Sequence, residues 1–244
     1  MPDGTGPDAL KDVRSLDGAS GAIPAPLLLW FSPAFPVGGF AFSHGLEWAA
    51  ERGWIKDRET LAAWLTDLVA YGAIGNDQIL LCAVWRATMQ RDGAALREAI
   101  DLALALQPSA ERHLETVTQG GAFMTQIDAS WPCAAASWVR GIHDGEIAYC
   151  TAVGIAAAGH GIALQAVLLP YGLAVIGNLV SAAVRLGVVG QTDGQRVLAG
   201  LVPEIESVSR RSLAATLADL GGACWRSDLA SLQHETQYTR LFRS

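Results

Sequence analysis

The sequence predicts an all-α fold, a single helical bundle of roughly nine or ten helices that pairs as a dimer, and three observations carry the prediction. Apolar residues recur at steps of three and four along nearly the whole chain, whereas no stretch sustains the period-two alternation of β-branched residues that marks strands. With 51% of its 244 residues hydrophobic, the chain can bury one large core rather than two small ones. Its uncharged helices need that core or an interface to hide in, which is the reason to expect a dimer.

Residues 1–26 mix Gly, Pro, Asp and Ser and read as a disordered arm, ahead of a helical domain at 27–231 and a closing segment at 232–244. The apolar run from Leu27 to Phe31 is too short for the core of a secretion signal, so a cytoplasmic protein is expected. Asp57 caps the first strongly periodic helix, with Glu59 in its first turn, Leu61, Trp64, Leu65, Leu68 and Val69 on one face, and Gly72 as its stop. Asn76 or Asp77 is expected to cap the next, which runs to about Gln90 with Leu80, Val84 and Ala87 inward. Asp92-Gly93 turns the chain into a third helix that ends before Pro108. Ser109 caps a fourth whose seam reads Leu114, Val117, Gly121 and Met124, the glycine allowing a neighbouring backbone to approach. A short helix follows Trp131-Pro132. Further helices are expected to break at Gly159-His160-Gly161 and near Pro170, to resume after Asp193, to start again with Pro203 in the first turn, and to end with a segment from about Asp228.

From Ile147 to Val184 the chain carries no Asp, Glu, Lys or Arg, a length that could cross a bilayer. Its internal glycines and Pro170, its polar Gln165 and Asn178, and the lack of a Lys/Arg cluster at either end favour buried bundle helices, with an integral membrane protein as the alternative. A net charge of −7, with Lys11 and Lys56 the only lysines, leaves no basic face for nucleic acid. Cys82, Cys133, Cys150 and Cys224 are too widely spaced for a zinc site or a disulfide framework and read as free thiols in the core. His44, His113, His143, His160 and His234 lack a second histidine three or four residues away, so no metal site and no cofactor is expected. No phosphate loop, GxSxG elbow, HExxH or CxxC is present, and Gly38-Gly39, with no strand before it and no lysine behind, reads as a turn that aims the next helix. No catalytic residue is expected.

Three segments stand out from this background. The first, Leu28-LWFSPAFPVGGFAFSHGLEWA, resembles the opening of the F-type urease accessory proteins, the UreF family, approximately SPxxPVGxxxxSxGLE, at Ser32, Pro33, Pro36, Val37, Gly38, Ser43, Gly45, Leu46 and Glu47. The closing Leu232-QHETQYTRLFRS is similar to that family's MRHExxYxRLFxS at His234, Glu235, Tyr238, Arg240, Leu241, Phe242 and Ser244, departing from it at Leu232 and Gln233. Between them, Gly190, Gln191, Gly194 and Gln195 match a late-helix signature, so the likeness runs from about residue 27 to the end.

The resemblance implies a dimeric, non-enzymatic nickel-insertion chaperone. Such a scaffold would bridge the D-type (H-type) accessory protein and the G-type nickel-carrying GTPase, and deliver nickel to apo-urease. It places partner contacts at Ser32, Pro33, Pro36, Gly38, Ser43, His44, Glu47, Gln191, Gln195, His234, Glu235, Tyr238, Arg240, Leu241 and Phe242. Phe31, Phe35, Phe40 and Phe42 around the first turn can serve as core or as anchors. Tyr238, Leu241 and Phe242, so close to the end, suit a segment that orders only on a partner, with Arg240 offered to a partner carboxylate; folding back on its own bundle is the alternative. A second class, a regulator of the partner GTPase, would use Gln191 to orient water or Arg210 or Arg211 as an arginine finger.

Overall fold

The computed structural model describes residues 23–244, so all but the last four residues of the expected N-terminal arm lie outside the described residues. Those described form eleven α-helices and no strands: α1 (Ala25–Trp30), α2 (Leu46–Glu51), α3 (Arg58–Tyr71), α4 (Ala73–Gln90), α5 (Gly93–Ala105), α6 (Ala110–Ser130), α7 (Ala134–Ile142), α8 (Tyr149–Gly159), α9 (Leu164–Arg185), α10 (Gln191–Ala214) and α11 (Trp225–His234). The expected arm is shortened by its last two residues, Ala25 and Pro26, because proline at the second position of α1 suits a helix start.

Two hydrophobic clusters make up the core. In the first, α4, α5, α6 and α7 surround α8, whose residues 149–158 are all buried. In the second, α2, α3, α10 and α11 enclose the C-terminal half of α9. Helix α9 therefore ties the clusters together, contributing Val167, Leu168 and Tyr171 to one and Ile176, Leu179 and Ala183 to the other.

That bridging role explains why the break expected near Pro170 does not occur. Proline removes one helical hydrogen bond and costs about 3 kcal/mol, but burial of apolar side chains on both sides of it, at about 1.5–3 kcal/mol each, outweighs the loss. Pro203 likewise lies inside α10 and not in a first turn. The uncharged stretch divides instead into α8, which is too short to span, and α9. Two segments, 58–90 and 164–185, are long and apolar enough to cross a membrane, yet about half of the most apolar 18-residue stretch of each is buried within the bundle (56% and 50%).

Other boundaries shift for local reasons. Helix α4 starts directly after Gly72, so neither Asn76 nor Asp77 caps it. Asn76 instead clasps the loop before α11, donating to the Gly222 carbonyl at 3.0 Å and accepting from the Gly221 and Gly222 amides. Helix α10 begins at Gln191 and α11 at Trp225, each a turn or less earlier than expected. On α6 the close approach is one residue away from the predicted glycine: a Cβ at Gly120 would overlap the Ile147 carbonyl, while Gly121 faces open space. This rotation sends Leu114 outward and turns Glu111, Arg112, Glu115 and Gln119 inward.

Candidate functional site

Residues 31–45 build the first half of the site. Gly38 has φ +76°, as its place after Pro-Val predicts, and introduces a single 3₁₀ turn, Gly39–Ala41. His44 (φ +58°) and Gly45 (φ +73°) then follow in left-handed conformation and launch α2. At Gly45 glycine is obligatory, because a Cβ would lie 2.5 Å from the Ser231 amide of α11. The N-terminal turn and the C-terminal helix thus meet backbone to backbone.

The chain beyond α11 closes over this turn. His234 is fully buried and sits between two carboxylates, Nδ1 at 2.6 Å from Glu111 Oε2 and Nε2 at 3.1 Å from Glu47 Oε2. The Glu47 carboxylate also accepts the backbone N–H groups of Leu241 (2.6 Å) and Phe242 (2.9 Å). Arg240 donates to Glu111 at 2.7 Å, Glu235 accepts the Ala110 amide at the start of α6, and the Arg243 amide donates to the Ala41 carbonyl. Ser43 donates its amide and hydroxyl to the Ser244 main-chain oxygen, and the Ser244 hydroxyl donates to Glu115 at 2.9 Å. Phe242 is buried against Arg185, whose guanidinium stacks between Phe40 (3.6 Å) and Phe242 (4.3 Å).

Helix α6 supplies the polar floor. Ser109 caps it and bonds the Ser231 hydroxyl at 2.6 Å, and Glu111, Arg112, Glu115 and Gln119 follow at helical spacing as one inward stripe. Arg112 donates to Glu115 (2.6 Å) and to His44 Nδ1 (2.5 Å). Burial pushes His44 below its ordinary value, with Arg112 adding to the effect, so its uncharged ring is the acceptor. Burial pushes the Glu115 carboxyl up, but the adjoining His44 and Arg112 and the Ser244 hydroxyl reverse this and hold it at about 2.

Beside this clasp lies a cavity of about 520 Å³. Ser32, Pro33, Pro36, Gly38, His44 and Gln195 line it together with Asp77, Tyr149 and Tyr171. Of the residues singled out in the sequence, then, Ser43, His44, Glu47, His234, Glu235, Arg240 and Phe242 come together in the clasp, and Ser32, Pro33, Pro36, Gly38 and Gln195 surround the neighbouring cavity. Gln191 stands apart, exposed at the start of α10. Phe42 is buried, Phe31 and Phe35 pack against the first core cluster, and Phe40 is largely exposed. The expectation of an unattached closing segment is corrected: it is fastened to its own bundle, and Arg240 uses a guanidinium nitrogen on Glu111. Leu232 (46% exposed), Tyr238 (102%) and Leu241 (64%) present large apolar groups outward from it.

Sequence reading missed Glu111, Arg112 and Glu115, because charges at helical spacing read as a solvated face. The available signal was the short supply of apolar residues on the rest of α6. Among the described residues, no group of three or more His, Cys, Asp or Glu side chains is placed to hold a metal.

The fold and site define an all-α protein whose N-terminal turn and C-terminal segment are locked together over one charged, buried helix face. A UreF family profile matches residues 55–202. The chain is 48% identical to the urease accessory protein UreF of Rhodopseudomonas palustris (strain BisA53) over 244 residues, all of both chains. It is 49% identical to the protein of that name from Methylobacterium radiotolerans over 218 residues, covering 89% of this chain and 95% of that one. With that of Xanthobacter autotrophicus it shares 48% over 219 residues, 90% of each. The chain belongs to the UreF family of urease accessory proteins.

Proposed function

We propose that this chain acts in urease maturation as a non-enzymatic assembly scaffold. As a cytoplasmic homodimer without a cofactor, it joins the D-type accessory protein and the G-type nickel-carrying GTPase and supports nickel insertion into apo-urease. The observation that carries the docking role is the outward face of the clasped C-terminal segment. Trp225, Leu229 and Leu232 form an exposed apolar stripe along α11, at i, i+4 and i+7, and Tyr238 and Leu241 add two more exposed apolar groups after it. Because the clasp fixes the backbone at Leu241 and Phe242, these anchors are presented with less ordering entropy left to lose on binding. The test is urease activation in cells that express urease and its accessory proteins with or without this chain. Nickel content and activity fall together without it if the reading is right; full activity without it overturns the reading.

A GTPase-regulating role is the second reading, favoured by the exposure of Gln191, Arg210 and Arg211. Gln191 lies at one end of α10 and the arginines near the other, about 28 Å away at 1.5 Å per residue, so one active site cannot use both. Arg210 and Arg211 also lie within 4 Å of Glu206 and Glu204 (3.7 and 3.8 Å). Single-turnover GTP hydrolysis by the GTPase with the wild-type chain, Gln191→Ala and Arg210→Ala separates the two readings.

A further inference from the structure

The cavity beside the clasp contains a carboxyl group that the clasp does not use. Asp77, on the inner face of α4, lines this cavity and accepts a hydrogen bond from the Tyr171 hydroxyl (2.8 Å). Among the described residues no cation lies within ion-pair distance of it. The nearest guanidinium in the cavity, Arg112, is committed to Glu115 and His44. With His44 uncharged, Asp77 and Glu115 against Arg112 leave the cavity wall one negative charge in excess. Around Asp77 stand aromatic faces: Tyr149 and Tyr171 have ring centroids 5.7 Å apart, and Phe31 packs edge-on to Tyr171 at 6.3 Å. Pro33, Pro36, Phe40 and Gln195 at the rim are exposed, so the cavity reaches the surface.

We propose that this cavity is a binding site for an organic cation, an alkylguanidinium or alkylammonium group, seated on the Asp77 carboxylate beside the packed Tyr149 and Tyr171 pair that lines the same wall. A carboxylate gives such a group a charge-assisted hydrogen bond, and aromatic faces attract it through their quadrupoles. A volume of about 520 Å³ is in the range of small-ligand sites and too large for a lone ion. A transition metal does not suit the position, since the cavity offers Asp77 no second and third ligand. The cation can be a free amine or the side chain of a partner's arginine or lysine. The second source rests on the scaffold reading and the first does not.

Burial raises Asp77 to about 6, the donors Tyr171 and Cys150 and the charge of Arg112 acting against it and Glu115 with it. Binding of a cation therefore strengthens as pH rises through about 6 and the carboxylate forms.

The test is a titration of the full chain with agmatine, followed by calorimetry and by tyrosine and tryptophan fluorescence, with n-butylurea as the neutral control of similar shape. Saturable agmatine binding is expected, at least tenfold weaker in Asp77→Asn, weaker in Tyr149→Leu, and lost below pH 6. Thermal melts of both variants establish that they are folded. Equal binding of n-butylurea, equal binding by folded Asp77→Asn, or Asp77-dependent binding of nickel chloride without agmatine binding would each overturn the proposal. Where agmatine binds, its effect on co-purification with the D-type accessory protein and the GTPase assigns the source. Displacement identifies a partner side chain, and undisturbed complexes identify a free cation.

Discussion

Replacing Glu47 by alanine removes the acceptor on which the C-terminal segment hangs. Three donors lose their partner at once: the Leu241 amide at 2.6 Å, the Phe242 amide at 2.9 Å and His234 Nε2 at 3.1 Å. Glu47, His234 and Phe242 are all buried, so the His234 and Phe242 donors gain no water while the segment stays in place, whereas exposed Leu241 leaves its amide partly open. Each buried donor left unpaired costs about 1–3 kcal/mol. For those two donors the total is about 2–6 kcal/mol, matching or exceeding what burial of Phe242 returns, about 1.5–3 kcal/mol. The segment should therefore open locally rather than unfold the bundle. Hydrogen exchange reads this directly: protection at Leu241 and Phe242 should fall about a hundredfold or more, at 1.4 kcal/mol per tenfold, while the α8 amides of Ala152 and Val153 stay protected. Unchanged exchange at 241 and 242, or equal loss in α8, would refute the reasoning.

Three further outcomes follow from the same geometry. Glu115, held at about 2 against an ordinary 4.5, contributes stability that is present above about pH 4.5 and lost as pH falls toward 2. Acid unfolding of the wild type should be steeper by on the order of 3 kcal/mol across that window than that of Glu115→Gln, and parallel curves would count against it. Asp77, raised from 3.8 to about 6, contributes in the opposite sense: its stability is present below 3.8 and lost as pH rises through 6. Asp77→Asn should then be more stable than the wild type at pH 7.5, by about 1–3 kcal/mol in urea unfolding, and no gain would contradict the assignment. Gly38, with φ +76° and no atom within 4 Å of a built Cβ, penalises a side chain through its backbone alone. Gly38→Val should cost about 1–2 kcal/mol or more, and an unaltered melting temperature would show that the turn relaxes freely.

Much of the fold was legible because local signals and packing agree. Asp57 as cap, Glu59 in the first turn and the inward stripe Leu61, Trp64, Leu65, Leu68 and Val69 all appear at α3 as the pattern predicts, and Thr60 completes a capping box that the reading did not name. Asp92 and Ser109 likewise cap α5 and α6. Reading fails where tertiary contacts overrule a local rule. Pro170 is carried inside α9 because that helix is anchored in both clusters, and Gly72, not Asn76, divides α3 from α4. The charged stripe of α6 was invisible for a related reason: Glu111, Arg112 and Glu115 are buried only because the N-terminal turn and the closing segment bring them partners from more than 60 residues away. The motifs marked both of those segments as unusual, yet nothing local tells that they bind each other.

The clasped segment leaves Tyr238 and Leu241 exposed, and the proposed scaffold role has them dock on the D-type accessory protein. The most direct measurement is the affinity of that protein for the Tyr238→Ala/Leu241→Ala double variant, taken with thermal unfolding of the variant alone. Both side chains are exposed in the bundle, so melting should be unchanged. If each is buried on docking, at about 1.5–3 kcal/mol, affinity should fall about a hundredfold or more. Undiminished affinity in a stably folded variant would contradict the account.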